Sequence, residues 1–129
     1  MENFRKEVIS KPAKAGMPYS PAVSWGPLVF LSGIVGRDPA SGQIAVGNVG
    51  SQTRQAMENI AVHLQKAGSG FEQAVKATVF ITDMSLFAEM NEVYSSFFTG
   101  DPPARSCVEV AKLPDPEALV EIELIALRA

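Results

Sequence analysis

The stretch Val75-Lys76-Ala77-Thr78-Val79-Phe80-Ile81-Thr82-Asp83 decides the architecture. It is rich in β-branched residues, alternates in character and is closed by a Thr-Asp pair, which predicts a strand. On its C-terminal side, Asp83 or Ser85 can cap a helix whose apolar stripe is Phe87, Met90, Val93, Tyr94 and Phe97, running to Phe98. Gly100-Asp101-Pro102-Pro103 ends that helix. On its N-terminal side, Ala56, Ile60, Leu64 and Ala67 recur at helical spacing, widened by Met57 and Ala61, while Gln52, Arg54, Gln55, Glu58 and Gln65 fill the rest of the surface. That first helix runs from about Ser51 to Ala67 and stops at Gly68, a residue that readily takes a left-handed terminating conformation.

Further outward, Ala22 to Trp25 and Leu28 to Gly33 flank Gly26-Pro27 and predict a hairpin. Residues 9 to 21 hold three prolines and read as loop. Asp38-Pro39-Ala40-Ser41-Gly42 is a turn. Two more strands, Ala104 to Ala111 and Leu119 to Leu127, close the chain, with an optional strand at Glu7 to Ile9. The order β-β-α-β-α-β-β predicts a single domain over residues 1-129, α+β, with one mixed sheet and two helices on one face. The second sheet face keeps large apolar residues as well: Leu119, Ile125 and Leu127 in the last strand, Phe80 in the central one. Exposed apolar patches of that kind mark oligomer interfaces, although scattered exposures also occur on monomers.

Composition bounds the function. The 129 residues are 47% hydrophobic, enough for one compact core. Charged residues make up 19% and the net charge is −3, with no basic run beyond Arg5-Lys6, so a nucleic-acid partner is not expected. There is one cysteine, Cys107, and one histidine, His63, which leaves no internal disulfide, and a Cys-based metal site would need other residue types to complete it. The charged start at Met1-Glu2-Asn3-Phe4-Arg5 is unlike a signal peptide, and no run approaches membrane-spanning length. A soluble cytoplasmic protein, not placed in a membrane, is the expectation.

For chemistry, alternation puts Arg105, Cys107 and Glu109 on one face of their strand, and Glu121 with Glu123 on one face of the next. If those strands pair, guanidinium and carboxylate share a cleft, where arginine can clamp a carboxylate and glutamate can activate water. The plainer alternative is a cross-strand Arg105–Glu121 ion pair with Glu123 solvated, and structural pairs outnumber catalytic ones. Cys107 reads more readily as a small buried hydrophobe than as a nucleophile, and His63 as solvated. Ser32-Gly33 offers a hydroxyl and an approachable N–H, or is a plain turn; Tyr19 lines a pocket or merely packs.

At these same positions the chain resembles the RidA/YjgF family. The resemblance is carried by Pro103-Ala104-Arg105-Ser106-Cys107-Val108-Glu109-Val110-Ala111-Lys112-Leu113-Pro114 with Val120-Glu121-Ile122-Glu123, and supported by Gly16 to Ser20, Leu31-Ser32-Gly33, Gln52 to Ile60, Thr78 to Asp83 and Met90 to Tyr94. It implies a chorismate-mutase-like fold assembled as a homotrimer around a central β-barrel, with clefts between subunits. It also implies hydrolysis of 2-imino and 2-enamino acids, such as 2-aminoacrylate, to 2-keto acids and ammonia, without cofactor or metal. Arg105 then matches the residue gripping the substrate carboxylate and Glu121 the one positioning water. Cys107 matches a position whose backbone N–H helps hold ligand; Tyr19, Ser32, Gly33 and Asn91 match others around the cleft. Met17-Pro18-Tyr19 departs from the family's Gly-Pro-Tyr, and the loop from Leu113 to Leu119 is slightly longer than usual. Relatives also include dedicated deaminases of the 2-aminomuconate type, and keto-acid-binding, regulatory or endoribonuclease-linked trimers, so the resemblance leaves those alternatives open.

Overall fold

The computed structural model describes residues 3–129; Met1 and Glu2, part of the charged start, lie outside them. Six strands form one sheet: β1 (Lys6–Ser10), β2 (Ala22–Trp25), β3 (Leu28–Val35), β4 (Ala74–Ile81), β5 (Ala104–Glu109) and β6 (Val120–Leu127). The spatial order is β1-β2-β3-β6-β4-β5. Every neighbouring pair is antiparallel except β4–β5, which is parallel. A parallel pair needs a crossover, and α2 (Phe87–Ser95) supplies it, while α1 (Val49–Lys66) joins β3 to β4.

Both helices lie on one face, as the element order predicts. There Val29, Ala77, Val79, Ile81, Ile122 and Leu124 from the sheet meet Ala56, Met57, Ile60 and Leu64 of α1 and Met90 of α2, all within 1% of full burial. At about 1.5–3 kcal/mol for each large side chain buried, this cluster is the main source of stability. The first helix starts two residues earlier than its stripe implies, because the Asn48 side chain accepts the N–H of Ser51 at 3.0 Å and caps it. It ends as expected, with Gly68 at φ +75° and the Ser69 N–H returning to the Leu64 carbonyl. Gln52, placed by sequence on the polar side, is buried instead. Its amide donates to the Glu117 carbonyl and accepts from the Leu119 N–H, latching the loop that leads into β6.

Three further expectations are corrected. The second helix is short: a 3₁₀ turn at Met84–Leu86 precedes it, and it ends at Ser95. The hydroxyls of Ser95 and Ser96 bond back to the carbonyls of Asn91 and Val93, competing with helix continuation. Phe97 and Phe98 lie beyond it and pack edge-on against Phe71. Strand β5 stops at Glu109, whose carboxylate accepts the Met84 N–H at 2.7 Å. Most consequentially, β5 and β6 are not neighbours, because β4 runs between them.

The far face of the sheet carries no helix. The register aligns Val8, Val23, Phe30, Ile125, Lys76 and Ala104 in one row across all six strands, on the side opposite the core. Val8, Trp25, Phe30, Val108 and Leu127 are each 37–48% exposed. This is the apolar second face that the strand patterns predict, and it is broader than one strand.

Candidate functional site

Arg105 points to the helix side of the sheet, since its partner across the parallel pair is the fully buried Ala77. Pro102-Pro103 holds the approach extended and delivers the residue to β5, the sheet edge, where one row of backbone groups has no strand partner. The guanidinium is half-buried against α2. Nη1 donates to Asn91 Oδ1 at 2.6 Å, and Cζ stands 4.9 Å from the Tyr94 ring centroid and 5.4 Å from that of Phe87. Phe87, Asn91 and Tyr94 are spaced i, i+4, i+7 and so share one helical face. No carboxylate among the described residues pairs with Arg105; the ion pairs there are Arg37–Asp115 and Arg128–Glu7. A cation of this kind, with one of its five donors occupied by a neutral acceptor, is primed for an anion. Beside it opens a cavity of about 440 Å³, lined by Asn91, Tyr94, Phe98, Pro102, Pro103 and Arg105 among others.

Glu121 lies on the opposite face. Along β6, Val120, Ile122 and Leu124 are buried toward the helices, so Glu121 and Glu123 project to the helix-free side. The shared-cleft expectation therefore fails within one chain, and so does the Arg105–Glu121 ion pair: a strand and the thickness of the sheet separate them. Alternation sets the face of each side chain as expected; it is the intervening β4 that keeps the two strands apart.

What surrounds Glu121 is a β-bulge. Between the pairs Leu31–Leu124 and Ile34–Ile122, Ser32 and Gly33 together oppose Glu123. A Cβ at Gly33 would sit 2.5 Å from Glu121 Oε2, so only glycine leaves room for the carboxylate. The Ser32 hydroxyl donates to the Ser20 carbonyl at 2.7 Å and the Ser32 N–H to Pro21, which pins the loop bearing the exposed Tyr19 beside the bulge. Burial, then repulsion from Glu123, raises the Glu121 pKa above the ordinary 4.5. A carboxylate so shifted is a better proton acceptor than a free one.

The expected residues thus fall into two groups. Arg105 and Asn91 stand on the helix side, with Cys107 on the same face of β5; Tyr19, Ser32, Gly33 and Glu121 stand on the other. Burial pushes the Cys107 thiol up, only partly offset by Arg105, which is the reverse of an activated nucleophile. His63, expected to be solvated, is half-buried with Nδ1 2.8 Å from the Ser10 hydroxyl; desolvation and Lys66 lower its pKa. The roles of Phe87, Tyr94 and Phe98 beside the guanidinium were missed. The signal was present: a lone asparagine within an apolar helical stripe. Among the described residues, no three His, Cys, Asp or Glu side chains are grouped to hold a metal ion, and no helix is long and apolar enough to cross a membrane.

One mixed sheet with two helices on one face defines an α+β protein. The chain belongs to the YjgF/RidA family: the model described as endoribonuclease L-PSP matches residues 9–128. It is 42% identical to the 2-iminobutanoate/2-iminopropanoate deaminase of Mus musculus over 131 aligned residues, covering 99% of this chain and 96% of the relative. The crystal structure of a Rid family protein, YyfA of Yersinia pestis, superposes with a TM-score of 0.89 at 38% identity, covering 95% and 99% of the two chains. That of E. coli TdcF with bound serine gives 0.84 at 40% identity, covering 95% and 97%.

Proposed function

We propose that this protein hydrolyses 2-imino acids to 2-keto acids and ammonia, at a cleft completed between copies of the chain in a homotrimer. The observation that carries the reading is the half-buried Arg105 guanidinium, which among the described residues donates a hydrogen bond only to neutral Asn91. Two facts support the assembly: the helix-free sheet face is apolar, and Glu121 lies on it, out of reach of its own Arg105. Packing that face against another copy covers the exposed Phe30, Val108 and Leu127. It also offers the Glu121 of one copy to the Arg105 of the next. The mouse relative bears the name of this activity, and the structure of TdcF holds serine, an α-carboxylate.

In the reaction, two parallel hydrogen bonds from Arg105 fix the substrate carboxylate and hold C2 toward the bulge. Glu121 accepts a proton from water as the water oxygen bonds to C2, and the C=N π electrons move to nitrogen. Glu121 returns that proton to nitrogen to give the neutral carbinolamine; it then carries the C2 hydroxyl proton to the same nitrogen, the C–N bond breaks, ammonia leaves and the oxygen lone pair forms the keto C=O. The Tyr19 ring and the Ser32-Gly33 backbone line the water side, and the Cys107 N–H lies along the clamp side. The uncatalysed reaction is already fast, so positioning and proton transfer suffice.

The test is to generate 2-iminobutanoate from its amino acid and compare keto-acid release with semicarbazide trapping. Wild type should accelerate release and Arg105→Ala should not. A fully active Arg105→Ala variant would end the clamp mechanism. Tight keto-acid binding with unchanged imine decay would instead identify a non-catalytic binder.

A further inference from the structure

Two amide side chains on α1 reach the strand ends that flank Glu121. Gln52 is 4% exposed; its Nε2 donates to the Glu117 carbonyl at 3.2 Å and its Oε1 accepts the Leu119 N–H at 2.7 Å. The Leu119 carbonyl in turn accepts the Thr82 N–H at 3.1 Å, so this residue, two before Glu121, is held between α1 and the end of β4. Asn59, two helical turns along and on the same face as Gln52, donates through Nδ2 to the carbonyls of Val35 and Arg37 at 3.2 and 2.8 Å. Gln55 Nε2 donates to Asn59 Oδ1 at 2.9 Å, which turns the Asn59 N–H groups toward those carbonyls. Val35 is the residue of β3 paired with Glu121. Gly36, next along, is buried against the helix, where a Cβ would stand 2.4 Å from the Gln52 carbonyl oxygen.

These contacts matter because the ladder is short there. Beyond the bulge, Ile34–Ile122 and Val35–Glu121 are the last pairs that hold β3 to β6, and the bulge itself disrupts the bonding. The carboxylate fills the space that a Cβ at Gly33 would take, so drift of either strand end displaces it. On the reading that Glu121 activates water, we propose that Gln52 and Asn59 are positioning residues for it, acting through Leu119 and Val35. Neither amide bonds to the clamp, whose guanidinium is held by Asn91 of α2. On β3, β4 and β6, the charged groups sharing Glu121's side of the sheet are Glu123 and Lys76, the latter opposite Ile125 and bonded to Ser106; the adjoining loop adds Tyr19. None of these contacts α1 through the two amides. Satisfying backbone groups would by itself explain an effect on stability. It would not explain one confined to turnover and to the Glu121 proton.

The experiment compares wild type with Gln52→Ala and Asn59→Ala, each checked for folding by circular dichroism. It reads kcat for 2-iminobutanoate generated in place, the Kd of 2-ketobutanoate, and the Glu121 midpoint in a carboxyl NMR titration assigned with Glu121→Gln. Misplacing a reacting group by about 1 Å can cost about a hundredfold, so each variant should lower kcat by about tenfold or more. Binding should stay within about threefold of wild type, because the clamp is intact. The Glu121 midpoint, held above 4.5 by burial and Glu123, should fall toward that value as water enters the loosened bulge. Gln52→Ala orphans two backbone groups; if it does not fold, the partly buried Asn59 decides the question. Folded variants with kcat within about threefold of wild type, or with an unmoved Glu121 midpoint, would overturn the positioning role. So would binding that weakens by the same factor as kcat. A wild type that leaves imine decay unchanged would instead end the hydrolase reading, and the titration would still decide whether α1 places Glu121.

Discussion

Replacing Arg105 tests the anion site directly, by keto-acid binding in the absence of turnover. The guanidinium has five N–H donors and spends one on Asn91, so a fork of two remains for a carboxylate. Hydrogen bonds to a charged partner contribute about 1.5–3 kcal/mol each. The site is only half-buried, so screening reduces the pair to about 2–3 kcal/mol in total. At 1.4 kcal/mol per decade, Arg105→Ala should weaken 2-ketobutanoate binding by about 30- to 150-fold. Arg105→Lys keeps the charge but loses the fork and the guanidinium's contact with the Tyr94 and Phe87 rings, and should weaken it by about tenfold. Isothermal titration of the three proteins at equal ionic strength reads these shifts, with circular dichroism to check folding. A folded Arg105→Ala variant that binds within about threefold of wild type would refute the reasoning, because no other described cation faces this cavity.

The raised Glu121 pKa makes two measurable statements. After subtraction of the spontaneous reaction, kcat/KM should fall on acidification with a midpoint above 4.5, and Glu121→Gln should remove that limb. Because the folded state holds this proton more tightly than the unfolded one, its contribution to stability is present below the unfolded value and is lost as pH rises through the raised value. Glu121→Gln should therefore flatten the pH dependence of Tm over that window. Tyr94 buries a hydroxyl that has no partner among the described residues. Tyr94→Phe keeps the ring against Arg105 and should raise stability by about 1 kcal/mol in urea unfolding; a loss of that size would refute this. On the proposed assembly, wild type should sediment as three times 13.8 kDa and Phe30→Glu, on the helix-free face, as smaller species; a wild-type monomer would refute the assembly.

Much of the architecture was legible because each element announces itself locally. The alternation in β6, the Gly26-Pro27 hairpin with Gly26 at φ +58°, and the stripe of α1 all reflect short-range rules. The length of α2 was misjudged because Phe97 and Phe98 continue its apolar count while serving a separate aromatic cluster. The site was legible as a set of residue types but not as an arrangement. Whether Arg105 and Glu121 share a face depends on which strands are neighbours, and strand order is a long-range property that no local pattern encodes. The bulge at Ser32-Gly33 is equally silent in sequence, since a serine and a glycine in a strand have several uses.

The placement of Arg105 and Glu121 on opposite sides of one sheet has a genetic corollary. If each reaction centre borrows from two polypeptides, a lesion in either residue spoils centres that its own chain does not wholly own. Co-expressing a strain's Arg105-defective allele with a Glu121-defective one should then regenerate some intact centres, restoring a phenotype that neither allele supports alone.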